Sequence, residues 1–444
     1  MDKVNLALRP CTDRTCSDYL RWMGDTPREE RAAGDDRTER LRRLVAHAYE
    51  RVPFYREHFD RAGVRPADIS SLDDIELLPI TEKRDLIDRP VEEITARGSH
   101  PARLVSTMTS GYSGEPFVIR RTRHEQALWA RTWLRDLLAA GLRTGDRVAS
   151  VFSAREERRD GIGPLAGLGL IHETTIDCAS EPVEILHALE EVRPSFLRGM
   201  AGVVERLADD MTKANRHAIR PRVVWVSGEV LTPSARERIE TAFGAPVHNA
   251  YGTHEVGLLA SDCRSGGRMH LGRPDLIVEV LSSDRGAAAP GDTGEVVVTA
   301  LDFRAAPFVR YRQSDVVTRG PESCPCGAAL PTLAHIEGRT IDYFEMPDGR
   351  FMHPYRILGP TLAAAPWIRQ YQLVQETRNR IVLRLVRERP LNGEERRRLR
   401  KTVAPLLGPT VRFQVEAVPR IPAGADGKSH PILSLVDRRA AADG

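Results

Sequence analysis

Between Thr38 and Phe59 the apolar positions recur three and four residues apart. Leu41, Leu44, Val45 and Ala48 share one helical face until Pro53 interrupts the pattern. The next stretch, RAGVRPADISSLDDIELLPITEKRDLID, sets Ser and Asp ahead of short apolar runs, as successive N-caps would. The chain is therefore expected to open on helices, several of them short. From about Arg103 the pattern changes. ARLVSTMTS and FVIRR are strand-like, and Glu125 to Ala140 is helical with Leu128, Trp129, Trp133 and Leu137 on one face. DRVASVF, LGLIHETTI, SFLRGM and PRVVWVSG are short apolar strands, separated by helical stretches such as VEILHALEEV, GVVERLADDM and PSARERIETAF. Strands alternating with helices predict a largely parallel sheet covered on both faces.

After about Ser265 the chain turns β-rich. LIVEVLSS, GEVVVTAL and PFVRYRQSDVV, with Gly-containing turns between them, predict a small antiparallel or barrel-like subdomain. A boundary follows near Arg339. YQLVQETRNRIVLRLVRER alternates like a hairpin, NGEERRRLRKTVAPLL is an amphipathic helix, and TVRFQVEAVPRI is another strand. The expected fold class is α/β. A large N-terminal domain of mixed sheets with flanking helices takes residues 1–338, with the β-rich subdomain at about 265–338. A small α+β domain takes residues 339–444, enough for a unit of its own.

Composition narrows the function. The 444 residues are 41% hydrophobic and 29% charged, which supports one large core and a smaller one. A net charge of +3 is too weak and dispersed for nucleic acid or an anionic membrane to be the main partner. The basic runs ERLRRL and EERRRLRK interleave acids and read as solvated helix faces. No apolar run approaches the roughly 20 residues that span a bilayer, and MDKVNLALRPCTDR has no apolar core or cleavage site. A cytoplasmic protein is expected. Six Cys are too few for a disulfide scaffold.

Two clusters carry candidate chemistry. In TSGYSGEP, residues 109–116, the hydroxyls of Thr109, Ser110 and Ser113 can donate, and Gly111 and Gly114 let backbone N–H groups approach an anion. The residues alone fit a phosphate loop or an ordinary β-turn. Cys263 and His270 lie in DCRSGGRMH, and Cys324 and Cys326 in ESCPCG. Three thiolates and an imidazole form a structural Zn²⁺ set, although C-x-C is a less usual spacing than C-x-x-C. The alternative is four unrelated core and surface residues. Cys11, Cys16 and Cys178 have no such partners and read as plain thiols.

At this point the chain resembles the adenylate-forming (acyl-CoA synthetase) superfamily, in its phenylacetate–CoA ligase and capsule-biosynthesis-type branch. TSGYSGEP is similar to the family loop TSGTTGKP. HAYERVPFYREHFDRAGVRPADISSLDDIELLPITEKRDL resembles the branch's helical entry, WVSGEVL its GGE segment and HNAYGTHEVG its YGxTE. PFVRYRQSDVV resembles IRYRTGD, IEGRTIDYFEMPDGRFMHP the GRxDD hinge, and IPAGADGKSH the loop of the catalytic lysine. These stretches keep the family's order from about Thr38 to about Asp437.

The resemblance implies roles. Ser110, Gly111, Ser113 and Gly114 would hold ATP phosphates, and Glu255 would hold Mg²⁺ as a hard oxygen ligand. Tyr251 would lie against adenine, with Gly228 and Glu229 bordering its pocket, and Gly252 would be among the nucleotide-binding residues. Asp315 would accept from both ribose hydroxyls, since a carboxylate only accepts and has two oxygens. Arg339 would lie near ribose or phosphate, and Lys428 would bridge the substrate carboxylate and the α-phosphate. The C-terminal domain would rotate between two half-reactions and open a channel for a thiol. Some members of the branch bind zinc at the DC and CPCG stretches.

The chain also departs from the family. Glu115 stands where the loop has Lys, and Tyr112 replaces a small hydroxyl residue. His254 replaces the Thr or Ser that bonds the α-phosphate, and would do so with a charge that depends on pH. Ile341 stands at the hinge aspartate, with Asp342 after it. The acyl pocket is expected around GIGPLAGLG, FLRGMAG, SGEV and NAYG. There Gly161, Gly163, Gly167 and Gly169 make room for an aryl group or a tight loop. Arg198 reads first as a surface arginine at a strand end, and alternatively as the partner of a second acidic group on the substrate.

The expected function is ATP-dependent adenylation of a carboxylic acid, aryl or other acyl, followed by transfer to the CoA thiol. One alternative is another acceptor: an amine, a separate carrier protein or a small inorganic nucleophile. Another is a catalytically weakened relative that acts as a binding protein. ATP, Mg²⁺ and CoA are the expected small molecules, with a structural Zn²⁺, and a homodimer is one expected assembly.

Overall fold

The structure, a computed structural model, describes residues 33–87, 89–108, 117–152, 162–178, 180–216, 218–263, 267–271, 273–282, 286–328, 330–339, 344–348, 351–352, 354, 357, 361, 365, 368, 370–386, 391–421 and 432–436. The chain opens on helix α1 (Ala33–Arg51) and helix α2 (Pro53–Ala62). Leu41, Leu44, Val45 and Ala48 are wholly buried, as their spacing requires. Pro53 takes the first turn of α2, where its missing N–H has no helical partner to lose. Short helical turns follow at Pro66–Asp68, Asp73–Leu77, Lys83–Ile87 and Val91–Ile94.

The hairpin β1 (Val105–Met108) and β2 (Val118–Arg121) comes next, then helix α3 (Arg123–Ala140). Thr122 and Glu125 close a capping box at the start of α3. Buried Glu125 also accepts from the backbone N–H groups of Arg304 (2.6 Å) and Ala305 (2.9 Å), which fixes α3 to the β-rich part of the chain.

Strands β3 (Arg147–Phe152), β4 (His172–Asp177), β5 (Phe196–Met200), β6 (Val223–Ser227) and β7 (Val247–Thr253) are parallel. Their side chains alternate between two cores. Val148, Phe196, Val223 and Trp225 face the core that holds α3 and α1. Ala149, Val151, Leu197, Val224 and Val226 face the other, with α4 (Pro182–Val192), α5 (Ala201–Lys213) and α6 (Pro233–Phe243). Both faces are covered, so the strands read as continuous apolar runs.

At β7 the sheet changes direction. β8 (Gly257–Asp262), β9 (Met269–Leu271), β13 (Thr332–Arg339), β12 (Tyr311–Arg319), β11 (Thr293–Ala300) and β10 (Leu276–Leu281) continue it as antiparallel neighbours in that order. The β-rich stretch is antiparallel as expected. Among the described residues it is not closed on itself: β9 bonds to both β8 and β13, and eleven strands form one sheet.

After the short pair β14 (Phe344–Glu345) and β15 (Phe351–Met352), the C-terminal unit has its own four-stranded sheet, ordered β18-β17-β16-β19. The hairpin β16 (Gln370–Thr377) and β17 (Arg380–Val386) is followed by helix α7 (Gly393–Leu407), then β18 (Arg412–Val418) and β19 (Ile432–Ser434). Phe344, Leu373, Leu383, Leu399, Val403 and Val415 belong to a third core, separate from the other two. Among the described residues no helix is long and apolar enough to cross a membrane.

Candidate active site

The sheet's change of direction makes the site. Tyr251 near the end of β7 donates its hydroxyl to Asp315 Oδ2 on β12 at 2.7 Å, and both residues are buried. Asp315 pairs in register with Arg339 on β13, so the backbone of Arg339 lies beside it; the side chain of Arg339 is outside the described residues. Ser314, one residue earlier, sits at φ 61°, in the left-handed region that a residue with a Cβ seldom enters. Residues far apart in sequence are thus brought together where a carboxylate and a phenol share one hydrogen bond.

His254 and Glu255 form the turn between β7 and β8, and both are half-buried. Gly252 is required there. A Cβ at that position would lie 2.5 Å from the Gly257 carbonyl oxygen and 2.6 Å from the Trp133 ring. Thr132 on α3 supports the far side, its hydroxyl accepting from the Leu258 N–H at 3.2 Å.

Sequence reasoning missed Arg121, which holds this turn from below. The last residue of β2, it is 2% exposed and donates to the carbonyl oxygens of His254 and, at 2.7 Å, Glu255. It also reaches Thr107 Oγ1 at 3.4 Å and Gln126 Oε1 at 3.3 Å. The rings of Trp129 and Phe303 each lie 5.4 Å from its guanidinium carbon. Its Nε has no hydrogen-bond partner among the described residues. Burial pushes its pKa down to about 10, while the charges of Glu255 and Glu125 act in the opposite sense. The available signal was alternation: Ile119 points inward, so Arg121 two residues on must as well.

Gly228 follows β6 at φ 79°, and Glu229 turns back to accept from the Gly202 N–H at 2.6 Å. That places its carboxylate at the N-terminal turn of α5, where the helix dipole favours an anion. GIGPLAGLG supplies a short helix, Gly163–Gly167, with Ile162 and Leu165 buried. Gly161 lies outside the described residues.

Arg198 corrects the sequence reading. It is not a surface residue but wholly buried in the middle of β5. Its Nε donates to Ser150 Oγ at 2.6 Å and a terminal nitrogen to Glu173 Oε1 at 2.9 Å, with the Phe152 ring 5.3 Å away. Its charge is matched within the protein.

Cys263, His270, Cys324 and Cys326 come together. Their ligand atoms all lie within 4.8 Å of one another, with Cys263 Sγ to Cys324 Sγ at 3.6 Å and Cys326 Sγ to His270 Nε2 at 3.3 Å. Four donors around Zn²⁺ with bonds of about 2.3 Å to sulfur would be separated by about this much. The other ring nitrogen of His270, Nδ1, is buried with no partner among the described residues. Cys178 is buried in the core beside α4. The calls on Ser110, Gly111, Ser113, Gly114 and Lys428, and the departures at Tyr112, Glu115, Ile341 and Asp342, lie outside the described residues, as do Cys11 and Cys16.

Residues 344–434 match the family described as the CapK C-terminal domain. The chain is 28% identical over 366 residues to a phenylacetate-coenzyme A ligase of Thermus thermophilus, covering 80% of each chain. It is 29% identical over 319 residues to a phenylacetate-coenzyme A ligase of Pseudomonas putida, covering 68% of this chain and 70% of the relative. Its fold is similar to that of 2-hydroxyisobutyryl-CoA ligase in the postadenylation state in complex with R3-HIB-AMP. There the TM-score is 0.74 at 21% identity, over 94% of this chain and 91% of that one. Over most of its length the chain is thus similar to phenylacetate-coenzyme A ligases, its fold is similar to that of an acyl-CoA ligase, and its C-terminal unit matches the CapK C-terminal domain.

Proposed function

We propose that this protein adenylates a carboxylic acid with ATP and transfers the acyl group to the CoA thiol. The observation that carries this reading is the buried Tyr251–Asp315 pair beside the His254–Glu255 turn, on elements the sheet alone brings together. In the first step a carboxylate oxygen attacks the α-phosphorus, the bond to the β-phosphate bridge breaks, and pyrophosphate leaves. In the second, the thiol sulfur attacks the acyl carbon, the carbon–oxygen bond to AMP breaks, and the thiol proton goes to solvent. AMP leaves readily where oxide would not.

Two anions meet in the first step, so neutralising charge is the main catalytic task. Asp315 and Tyr251 would orient the ribose and adenine, with Gly252, Gly228 and Glu229 bordering the ring. Ser110, Gly111, Ser113 and Gly114 would cradle the phosphates, with Arg339 near them. Glu255 offers the oxygen that Mg²⁺ prefers, and the ion when bound would neutralise phosphate charge. His254 would donate to the α-phosphate, and Lys428 would bring an ammonium to the carboxylate. The boundary at 338/339 would let the C-terminal unit carry Lys428 in and out. The Cys263–His270–Cys324–Cys326 cluster would hold a structural Zn²⁺ that ties β8 and β9 to the connection between β12 and β13. The protein would act in the cytoplasm.

Acid-dependent pyrophosphate release, screened over aryl, fatty, amino and hydroxy acids, tests the first step. Thioester mass after CoA is added tests the second. Lys428→Ala should abolish pyrophosphate release and largely spare ATP binding; unchanged release would defeat the assignment. Purified protein should carry about one Zn²⁺ per chain by metal analysis, and its absence after mild purification would sink the zinc site.

A further inference from the structure

Arg121 is a charged group buried where charge is expensive. An unpaired guanidinium in a protein interior is unfavourable unless something offsets its lost hydration. Here its acceptors are neutral oxygens: Thr107 Oγ1, Gln126 Oε1 and the carbonyls of His254 and Glu255. Two aromatic rings flank it, and Nε has no partner among the described residues. A core arginine kept only for packing would be replaced by Met at little loss. This one instead grips two successive carbonyls of the one turn that carries both His254 and Glu255. One terminal nitrogen bonds both carbonyls while the other holds Thr107 and Gln126, a spread of donors that a planar guanidinium offers and a single ammonium does not.

We propose that Arg121 is the positioning residue for His254 and Glu255 in the ATP half-reaction. It fixes the backbone of the turn through two carbonyls and sets a positive charge beneath it, on the side of the site where nucleotide phosphates and Mg²⁺ would gather. This rests on the functional reading above. It also gives this chain a cation near the turn, while its Gly-rich loop has Glu115 where the family has Lys.

The test compares wild type, Arg121→Met and Arg121→Lys in two assays. Amide hydrogen exchange over residues 252–258, without ligand, reports the turn; calorimetry with ATP and Mg²⁺ reports binding. Arg121→Met should exchange faster over that segment and bind Mg·ATP about tenfold more weakly or worse, with KM for the acid moved less than about threefold. Arg121→Lys keeps the charge and loses the fork. Its turn should exchange faster, and its Mg·ATP affinity should stay within about threefold of wild type. Unchanged exchange in the variants overturns the proposal. So does faster exchange with unchanged Mg·ATP affinity in Arg121→Met, which would leave Arg121 a packing residue. If Arg121→Met does not fold, exchange in Arg121→Lys decides. Wild type that binds no ATP would defeat the functional reading, and the exchange comparison still decides whether Arg121 holds the turn.

Discussion

Two buried arginines of this molecule solve the same problem in opposite ways. Arg198 in β5 meets a carboxylate: Glu173 Oε1 accepts from it at 2.9 Å and from Ser150 Oγ at 2.6 Å, and Ser150 Oγ in turn accepts from Arg198. Arg121 at the end of β2 hydrogen-bonds, among the described residues, to neutral oxygens and lies against two rings, with the charges of Glu255 and Glu125 acting on it without a direct ion pair. The first arrangement is closed, with charge and counter-charge inside the sheet. The second leaves its positive charge available to the turn above it. A buried cation that is matched internally reads as part of the scaffold, whereas one hydrogen-bonded to neutral oxygens invites an anion from outside.

The largest effect should come from breaking the closed arrangement. Arg198→Met leaves the Glu173 carboxylate without its cation and should lower stability by about 3–5 kcal/mol in denaturant unfolding. Replacing both partners, Arg198→Met with Glu173→Leu, should recover most of that loss, since a buried pair is worth little over apolar side chains of similar volume. A double variant as unstable as the single would mean that Arg198 is not neutralised by Glu173, and the contrast with Arg121 would fall.

A neutral clamp in the C-terminal unit extends the comparison. The wholly buried carboxamide of Gln375 accepts from the Glu345 N–H at 3.1 Å, donates to the Glu345 carbonyl at 2.7 Å and accepts from Ser434 Oγ at 2.9 Å. It ties together the strands that follow residues 340–343 and 422–431, using no charge. Gln375→Leu strands buried polar groups and should cost about 2–4 kcal/mol in the same unfolding assay. Arg121→Met removes a desolvated charge along with its hydrogen bonds, two terms of opposite sign, and should cost only about 1–2 kcal/mol. A loss as large as that of Arg198→Met would make Arg121 another scaffold residue.

The same contrast explains what the sequence could tell. The parallel strands, their helices and the C-terminal hairpin were legible because period and apolar runs report burial directly. Trp129, Trp133 and Leu137 are buried in α3 as their spacing required. The single eleven-stranded sheet was not legible, because the link through the three residues of β9 leaves no pattern in so short a strand. Arg198 was misread because an arginine is usually exposed, and its partner Glu173 lies 25 residues away in β4. The cluster of Cys263, His270, Cys324 and Cys326 could be named from residue type, but only the sheet brings 263 next to 324. For Arg121 alternation could report that it points inward, but not that it bonds the backbone oxygens of His254 and Glu255, which carry no side-chain signature.

A single shared proton sharpens the site itself. Tyr251 and Asp315 share one buried hydrogen bond of 2.7 Å. Tyr251→Phe removes the donor and keeps the ring. The net loss of stability should be about 1.5–3 kcal/mol, below that of Arg198→Met, because a hydrogen bond to a carboxylate is lost but no charge is orphaned from a cation. If the phenol serves to aim Asp315 at the ribose hydroxyls, Mg·ATP affinity should fall more than stability does, and 2′-deoxy-ATP should lose less than ATP in the variant. Equal losses for the two nucleotides would mean that Asp315 does not read the ribose. Then the anionic end of the site, above Arg121, would be the better guide to how this chain holds its nucleotide.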